Sequence, residues 1–511
     1  MDVTSEFPSA DRHDGTYVNP ILPGDWPDPS VIRIGGDYFM THSSFRYAPG
    51  LLIWHSRDLV NWEPLCNALR EYAGNVYAPD LVFHDRRFHI YFPAGKTNWV
   101  VTAPSIQGPW TSPHDLQVAH IDPGHAVGLD GKRYLHLSGG NFVPLTDDGL
   151  STAGPVRHVY DGWPIPREWV IQGFCLESPK ITFRNGWYYL TVAQGGTAGP
   201  ATSHMVVSSR SRNVDGPWEH SPHNPIVHTA SRDETWWSRG HGTLVDTPDG
   251  RWYILYHGYR RGYHTLGRQT LMEPVEWTPD GWFRVVPGTV CDQPIPMPPG
   301  EPVPHGLMMS DDLAVPDLAP GWRFYQGIAA GRYELREGAL WLKAQGTTVS
   351  DASPVTLSTA HEAYVASVEL TVHGGADAGL VLFYNPDGYL GVGLKQGMAG
   401  GLEPSSPGGS GESSGAGGPG IAGGVYTMRR NSHTKPLPYE GGRIFLRVIN
   451  DRHEVQLQHS RDGLTWEAHQ AIESSGYHHN VFGGFTSLRV GLYCTGQGSA
   501  EFRNFRYEPL P

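Results

Sequence analysis

Gly186-Trp187-Tyr188-Tyr189-Leu190 is a turn residue followed by an aromatic, strand-forming run, and the chain carries five versions of it. The others are Asp37-Tyr38-Phe39-Met40, Arg87-Phe88-His89-Ile90-Tyr91, Lys132-Arg133-Tyr134-Leu135 and Gly250-Arg251-Trp252-Tyr253-Ile254. Between the markers Tyr38, Phe88, Tyr134, Tyr188 and Tyr253 the separations are 50, 46, 54 and 65 residues. A repeat of about 40–50 residues is the length of a four-stranded propeller blade with room for loop insertions. Ser56-Arg57-Asp58-Leu59-Val60-Asn61-Trp62, Gly108-Pro109-Trp110 and Gly216-Pro217-Trp218 read as outer closures of three blades. The repeat predicts an all-β fold whose first domain, residues 17–291, is a five-bladed β-propeller.

Upstream of each marker, where the innermost strand of a blade would run, stand Asp28, Asp80, Asp122, Glu177 and His241, at 10, 8, 12, 11 and 12 residues. A radial fold turns equivalent positions into a ring, so residues some fifty apart in sequence converge at one end of the axis. Asp28 lies in Asp25-Trp26-Pro27-Asp28-Pro29-Ser30, a proline-fixed turn before a strand-like run from Val31 to His42, and a polar turn favours the ionised carboxylate. Asp80, in Tyr77-Ala78-Pro79-Asp80, fits a turn cap. Glu177 follows the apolar Gly173-Phe174-Cys175-Leu176, where burial favours the protonated form a general acid requires. His241 fits either a packed core histidine or an axial ligand for a metal or an ordered water, and no further ligand stands at zinc spacing. Arg268, after Gly267, fits a surface arginine or a fork of donors for sugar hydroxyls or a carboxylate.

Beyond Asp280-Gly281-Trp282 the repeat ends, and the proline-rich residues 292–304 read as a semi-rigid linker. In residues 305–511, Tyr364, Ala366, Val368, Leu370 and Val372 alternate on one face, as do Ile444, Leu446 and Val448, and Asn385-Pro386-Asp387-Gly388 marks a turn. A jelly-roll-like β-sandwich is expected there, with a mobile Gly/Ser-rich loop at 400–424, and residues 1–16 read as an N-terminal tail.

The net charge of -13, without a basic run, argues against nucleic acid and anionic membranes as partners. Four scattered cysteines suit a reducing compartment, and the first residues show no apolar signal core, which points to a cytoplasmic protein, or a secreted one had a signal been removed. Oligomeric state is not readable from the sequence.

Tyr17-Val18-Asn19-Pro20-Ile21-Leu22-Pro23-Gly24, Pro27-Asp28-Pro29-Ser30, Ser44-Phe45, Pro49-Gly50 and the Ser56–Trp62 motif together resemble the opening of family 43 glycoside hydrolases. The branch resembled contains β-xylosidases and α-L-arabinofuranosidases with a C-terminal β-sandwich. The resemblance implies an inverting exo-hydrolase that removes terminal β-D-xylose or α-L-arabinofuranose from oligosaccharides, with Asp28 as general base, Glu177 as general acid and Asp122 as the carboxylate that tunes the acid. It implies sugar-facing walls at Phe45 and Tyr77, with Thr197 and His241 near the site and Arg268 on substrate hydroxyls. It also implies Ca2+ or another cation in the channel near His241, although the chemistry itself requires no cofactor. Two departures stand out: Glu177-Ser178-Pro179 where relatives read Glu-Gly-Pro, and Tyr77 where they often carry Trp. Two other readings are a retaining fructan or sucrose hydrolase on a related propeller, whose Asn-Asp-Pro-Asn opening is absent, and a non-catalytic carbohydrate-binding propeller.

Overall fold

The computed structural model describes residues 7–314, 317–396, 423–430 and 432–511, so most of the expected 400–424 loop lies outside the described residues. Five antiparallel sheets follow one another along the chain, four of four strands and one of five. Their first strands are Ser30–Ile34, Asp80–His84, Gly124–Val127, Glu177–Arg184 and Trp236–Asp246. Each packs against the first strand of the next sheet, and the fifth against the first, so the five line a closed central channel. The second strands are Asp37–Thr41, Arg87–Ala94, Arg133–Leu137, Trp187–Gln194 and Trp252–Arg260, which are the repeated aromatic runs of the sequence. Their rings fill the space between blades because alternate residues of a strand face opposite sides of its sheet. The run from Val31 to His42 is two strands, not one, because Gly35-Gly36 turns the chain back as a hairpin.

The propeller is closed by the N-terminal segment. Ile21 N–H donates to Thr270 O at 2.9 Å on the third strand of the last blade. Asn19 exchanges hydrogen bonds with Met272, its Nδ2 donating to Met272 O at 2.9 Å and Met272 N–H donating to its Oδ1 at 2.8 Å. Nδ2 also donates to Cys291 O at 3.0 Å, and Thr16–Tyr17 pairs with Ile295–Pro296. The residues ahead of it, read from sequence as a tail, are packed from Phe7 onward, with Phe7 and Ala10 buried in the core.

The second domain is a sandwich of two antiparallel sheets. In one, Ala363–His373 lies between Ser499–Pro509 and Arg443–Asp451, with Tyr364, Ala366, Val368, Leu370 and Val372 buried. The other runs through Ala376–Asn385, Arg489–Gly496, Val355–Leu357 and Arg323–Tyr325 and ends on Tyr47–Ala48, a strand supplied by the propeller. One buried apolar cluster spans both domains, joining Trp26, Trp54 and Trp62 to Trp322, Phe324, Leu357 and Val490.

Candidate active site

The five ring positions stand at matching places in the blades. Asp80 and Glu177 are the first residues of their inner strands, Asp28 and Asp122 each precede theirs by one residue pair, and His241 sits where the fifth inner strand shifts register. Three of the five hold left-handed backbone, Asp28 with φ 60°, Asp122 with 56° and His241 with 64°, and so do Phe45 at 48° and Ser178 at 57°. Such conformations cost about 1–2 kcal/mol each in residues with a Cβ, so packing must enforce them, and they gather at one end of the channel.

Asp28 is 4% exposed and surrounded by donors. Arg268 grips it with both ends of its fork, Nη1 to Oδ1 at 3.0 Å and Nη2 to Oδ2 at 3.3 Å. Ser43 Oγ donates to Oδ2 at 2.5 Å, and His257 Nδ1 and His241 Nδ1 lie 3.0 and 3.2 Å from Oδ1. Burial opposes the charge, but the Arg268 guanidinium and the two imidazoles outweigh it and hold the carboxyl well below its usual range. His257 is neutral, pushed down to about 4 by burial and by Arg268; its Nδ1 accepts the Asp28 backbone N–H at 3.2 Å, and its Nε2 lies 3.5 Å from Arg268 Nη1. Arg268 itself is buried and not at the surface, and its fork is engaged by a carboxylate, Asp28. Its guanidinium carbon lies 5.7 Å from the Phe45 ring of the propeller and 5.4 Å from the Phe485 ring of the sandwich.

Glu177 behaves oppositely. It borders a small cavity lined by Leu137, Tyr160, Leu176, Leu190 and Val192, and burial, then the negative charges of Asp122 and Asp28, push its carboxyl up to about 8. Asp122 accepts Ser178 N–H at 3.1 Å, which ties it to the residue after Glu177. Burial and the charge of Asp28 raise Asp122 as well, to about 7, so its carboxyl is not held ionised as that of Asp28 is.

Asp80 points to a different task. Its Oδ1 accepts Lys180 Nζ at 2.7 Å and its Oδ2 accepts His125 N–H at 2.7 Å, while Lys180 also donates to Pro79 O at 2.8 Å. Tyr77 meets Phe45 edge to face, with centroids 6.2 Å apart at 83°. Thr197 is buried after the Gly195-Gly196 turn, and its hydroxyl makes no hydrogen bond to any of the three carboxyls. Ser43, His257, Lys180 and Phe485 were not singled out by the sequence. His257 stands in the fifth aromatic strand, four residues after the marker Tyr253 as His42 is after Tyr38, and Ser43 lies two residues beyond the first blade's second strand.

Asp28, His241 and His257 bring three ligand atoms within 4.8 Å of one another. That triangle does not fit calcium, which takes 6–8 oxygen ligands, because two of its atoms are imidazole nitrogens and the lone oxygen already binds the Arg268 cation. On its far side, His241 Nε2 is buried without a hydrogen-bond partner and fits a water, or a cation that keeps its own water shell.

Residues 17–283 match the model of glycosyl hydrolases family 43, and residues 421–508 match that of the beta xylosidase C-terminal concanavalin A-like domain. The chain is 29% identical to a xylan 1,3-beta-xylosidase of a Vibrio species, over 73% of this chain and 78% of that one. It is 31% identical to a non-reducing end alpha-L-arabinofuranosidase of Bacteroides ovatus, over 66% of each. Among solved structures, a xylan beta-1,4-xylosidase from Bacillus halodurans superposes with a TM-score of 0.81 at 25% identity, covering 96% of this chain and 99% of that one.

Proposed function

The chain belongs to glycosyl hydrolases family 43, and from that premise we propose that Asp28 is its general base, Glu177 its general acid and Asp122 the carboxyl that sets the acid's proton affinity. The enzyme is an inverting, exo-acting glycosidase of the β-xylosidase and α-L-arabinofuranosidase group, releasing terminal pentoses from hemicellulose-derived oligosaccharides. One observation carries the assignment of roles: in the same ring, one carboxyl is held ionised and another is held protonated.

In this reading Glu177 gives its proton to the glycosidic oxygen as the bond to the anomeric carbon breaks. Asp28 takes a proton from a water that attacks that carbon from the opposite face. The sugar leaves with inverted configuration, and the enzyme ends with the proton moved from Glu177 to Asp28, to be restored through solvent. Arg268 deepens the logic. While both of its ends hold Asp28 the carboxylate is a weak base, and an N–H of the fork turning to a sugar hydroxyl raises its basicity only when substrate is present. Phe45 and Phe485 supply flat faces around that arginine, and Tyr77 meets Phe45 edge to face. No step needs a metal, and a water or hydrated cation at His241 Nε2 would act only by fixing that imidazole against Asp28.

Asp28→Ala and Glu177→Ala should each lower turnover of aryl pentosides by about 10²–10⁴-fold or more. Near-parent turnover in either variant would sink the assignment. Proton NMR of the first-formed product from a β-xyloside should show α-xylose. The β-anomer would mean a retaining mechanism instead. A panel of aryl xylosides and arabinofuranosides then ranks the two pentoses.

A further inference from the structure

Where the propeller meets the sandwich, beside the strap that leads to Asp28, lie two arginines that hydrolysis does not use. Arg323 and Arg489 are each 3% exposed and stand on the sandwich sheet that continues into Tyr47–Ala48 of the propeller. Arg323 is opposite Thr356, Thr356 is opposite Gly491, and Arg489 is two residues along from Gly491, so both side chains project from one face. Arg489 Nη2 donates to Asp25 Oδ2 at 3.3 Å, and its guanidinium carbon lies 4.1 Å from the Tyr47 ring. Arg323 lies 5.2 Å over the Trp26 ring.

The donors here outnumber the acceptors. Arg323 Nε and Nη2, Arg489 Nε and Trp26 Nε1 are all buried without a hydrogen-bond partner, as are the hydroxyls of Tyr47 and Ser487. Asp25 Oδ1 is the free carboxylate oxygen in the group. Charge is out of balance in the same sense. Two guanidinium groups, which do not deprotonate in proteins, face one carboxylate, Asp25, while Arg268 is engaged by Asp28. His42 and Tyr47 also face the cluster and are both neutral, since burial pushes the imidazole down to about 3 and the phenol up. A buried cation without a counter-charge is strongly unfavourable, and an arrangement of N–H and O–H donors around one excess positive charge is the environment an anion requires.

We propose that a small monovalent anion, of which chloride is the physiological example, binds between Arg323 and Arg489 and joins the sandwich to the Asp25–Asp28 segment of the propeller. Small size follows from the burial of every group involved, and single charge from the imbalance of one.

The test uses the full-length protein exchanged into sodium gluconate and titrated with sodium chloride or sodium bromide at constant ionic strength. A saturable rise in Tm of about 2 °C is expected with either halide and not with further gluconate. Arg323→Met should abolish that response. Crystals of the parent soaked in sodium bromide should show an anomalous bromine peak in contact with the Arg323 guanidinium, a readout that stands even if the variant fails to fold. An anomalous map without a peak at Arg323 means that water alone satisfies these donors and overturns the proposal, whatever the Tm does.

Discussion

Ser178 shows how one residue can record both the chemistry beside it and the strain of holding it. It follows the acid, holds φ at 57°, donates its N–H to Asp122, and leaves its hydroxyl buried without a partner. Left-handed backbone favours glycine, so the serine is accommodated rather than required. Ser178→Gly should therefore keep activity and raise stability by up to about 1 kcal/mol, read as a higher urea midpoint at unchanged slope. Glu177 offers a second test at this scale. Burial and the charges of Asp122 and Asp28 push its carboxyl up to about 8 from an ordinary 4.5, so between those values the folded chain holds a proton the unfolded chain has released. Stability from this group therefore falls as pH rises through that window. Glu177→Gln removes the dependence, and its Tm advantage over the parent should grow from pH 5 to pH 8. An advantage that is flat or shrinking would place the acid's proton elsewhere.

The inner strands are the elements that turn separate residues into a site, and Lys180 is what ties three of them together. From the fourth inner strand it reaches Asp80 on the second and the carbonyls of Pro79 and Pro123, the latter at 3.5 Å, with both charged groups buried. Lys180→Met would leave Asp80 buried and unpaired, a loss of about 3–5 kcal/mol, whereas Lys180→Met with Asp80→Asn should recover much of it. Thermal melts of the single and double variants read this directly. The same strands approach so closely that a Cβ on Gly124 would sit 1.9 Å from Pro179 O, and that closeness lets Asp122 reach Ser178. Much of this level was legible in advance, because the aromatic period marked the second strands and the ring positions followed by counting back. The leaning of Asp28 toward the ionised form, of Glu177 toward the protonated form and of Asp80 toward a turn was legible too, from their immediate neighbours, but the distant partners that enforce it were not. Asp80 and Asp122 look alike in sequence, each next to a proline, and differ in the partner that arrives from a distant blade.

At the scale of the whole molecule the two domains share one core and one sheet, and the sandwich reaches into the site through Phe485. A chain ending at residue 304 would expose Trp26 and Trp54 and lose the sandwich strand that pairs with Tyr47–Ala48. Such a truncation should be insoluble or, if recovered, inactive on aryl pentosides, whereas an autonomous propeller would keep parent-level turnover. The sequence by itself determined the architecture, since strand period, turn residues and face alternation are local properties that survive in a linear reading. It also determined which carboxyls were available to the site. Only the tertiary structure decided which partners surround each carboxyl, and with them its proton affinity, because that affinity is set through space by burial and by neighbouring charge. Asp28 meets Arg268 across 240 positions and Asp80 meets Lys180 across 100, contacts that form only when the ring is closed.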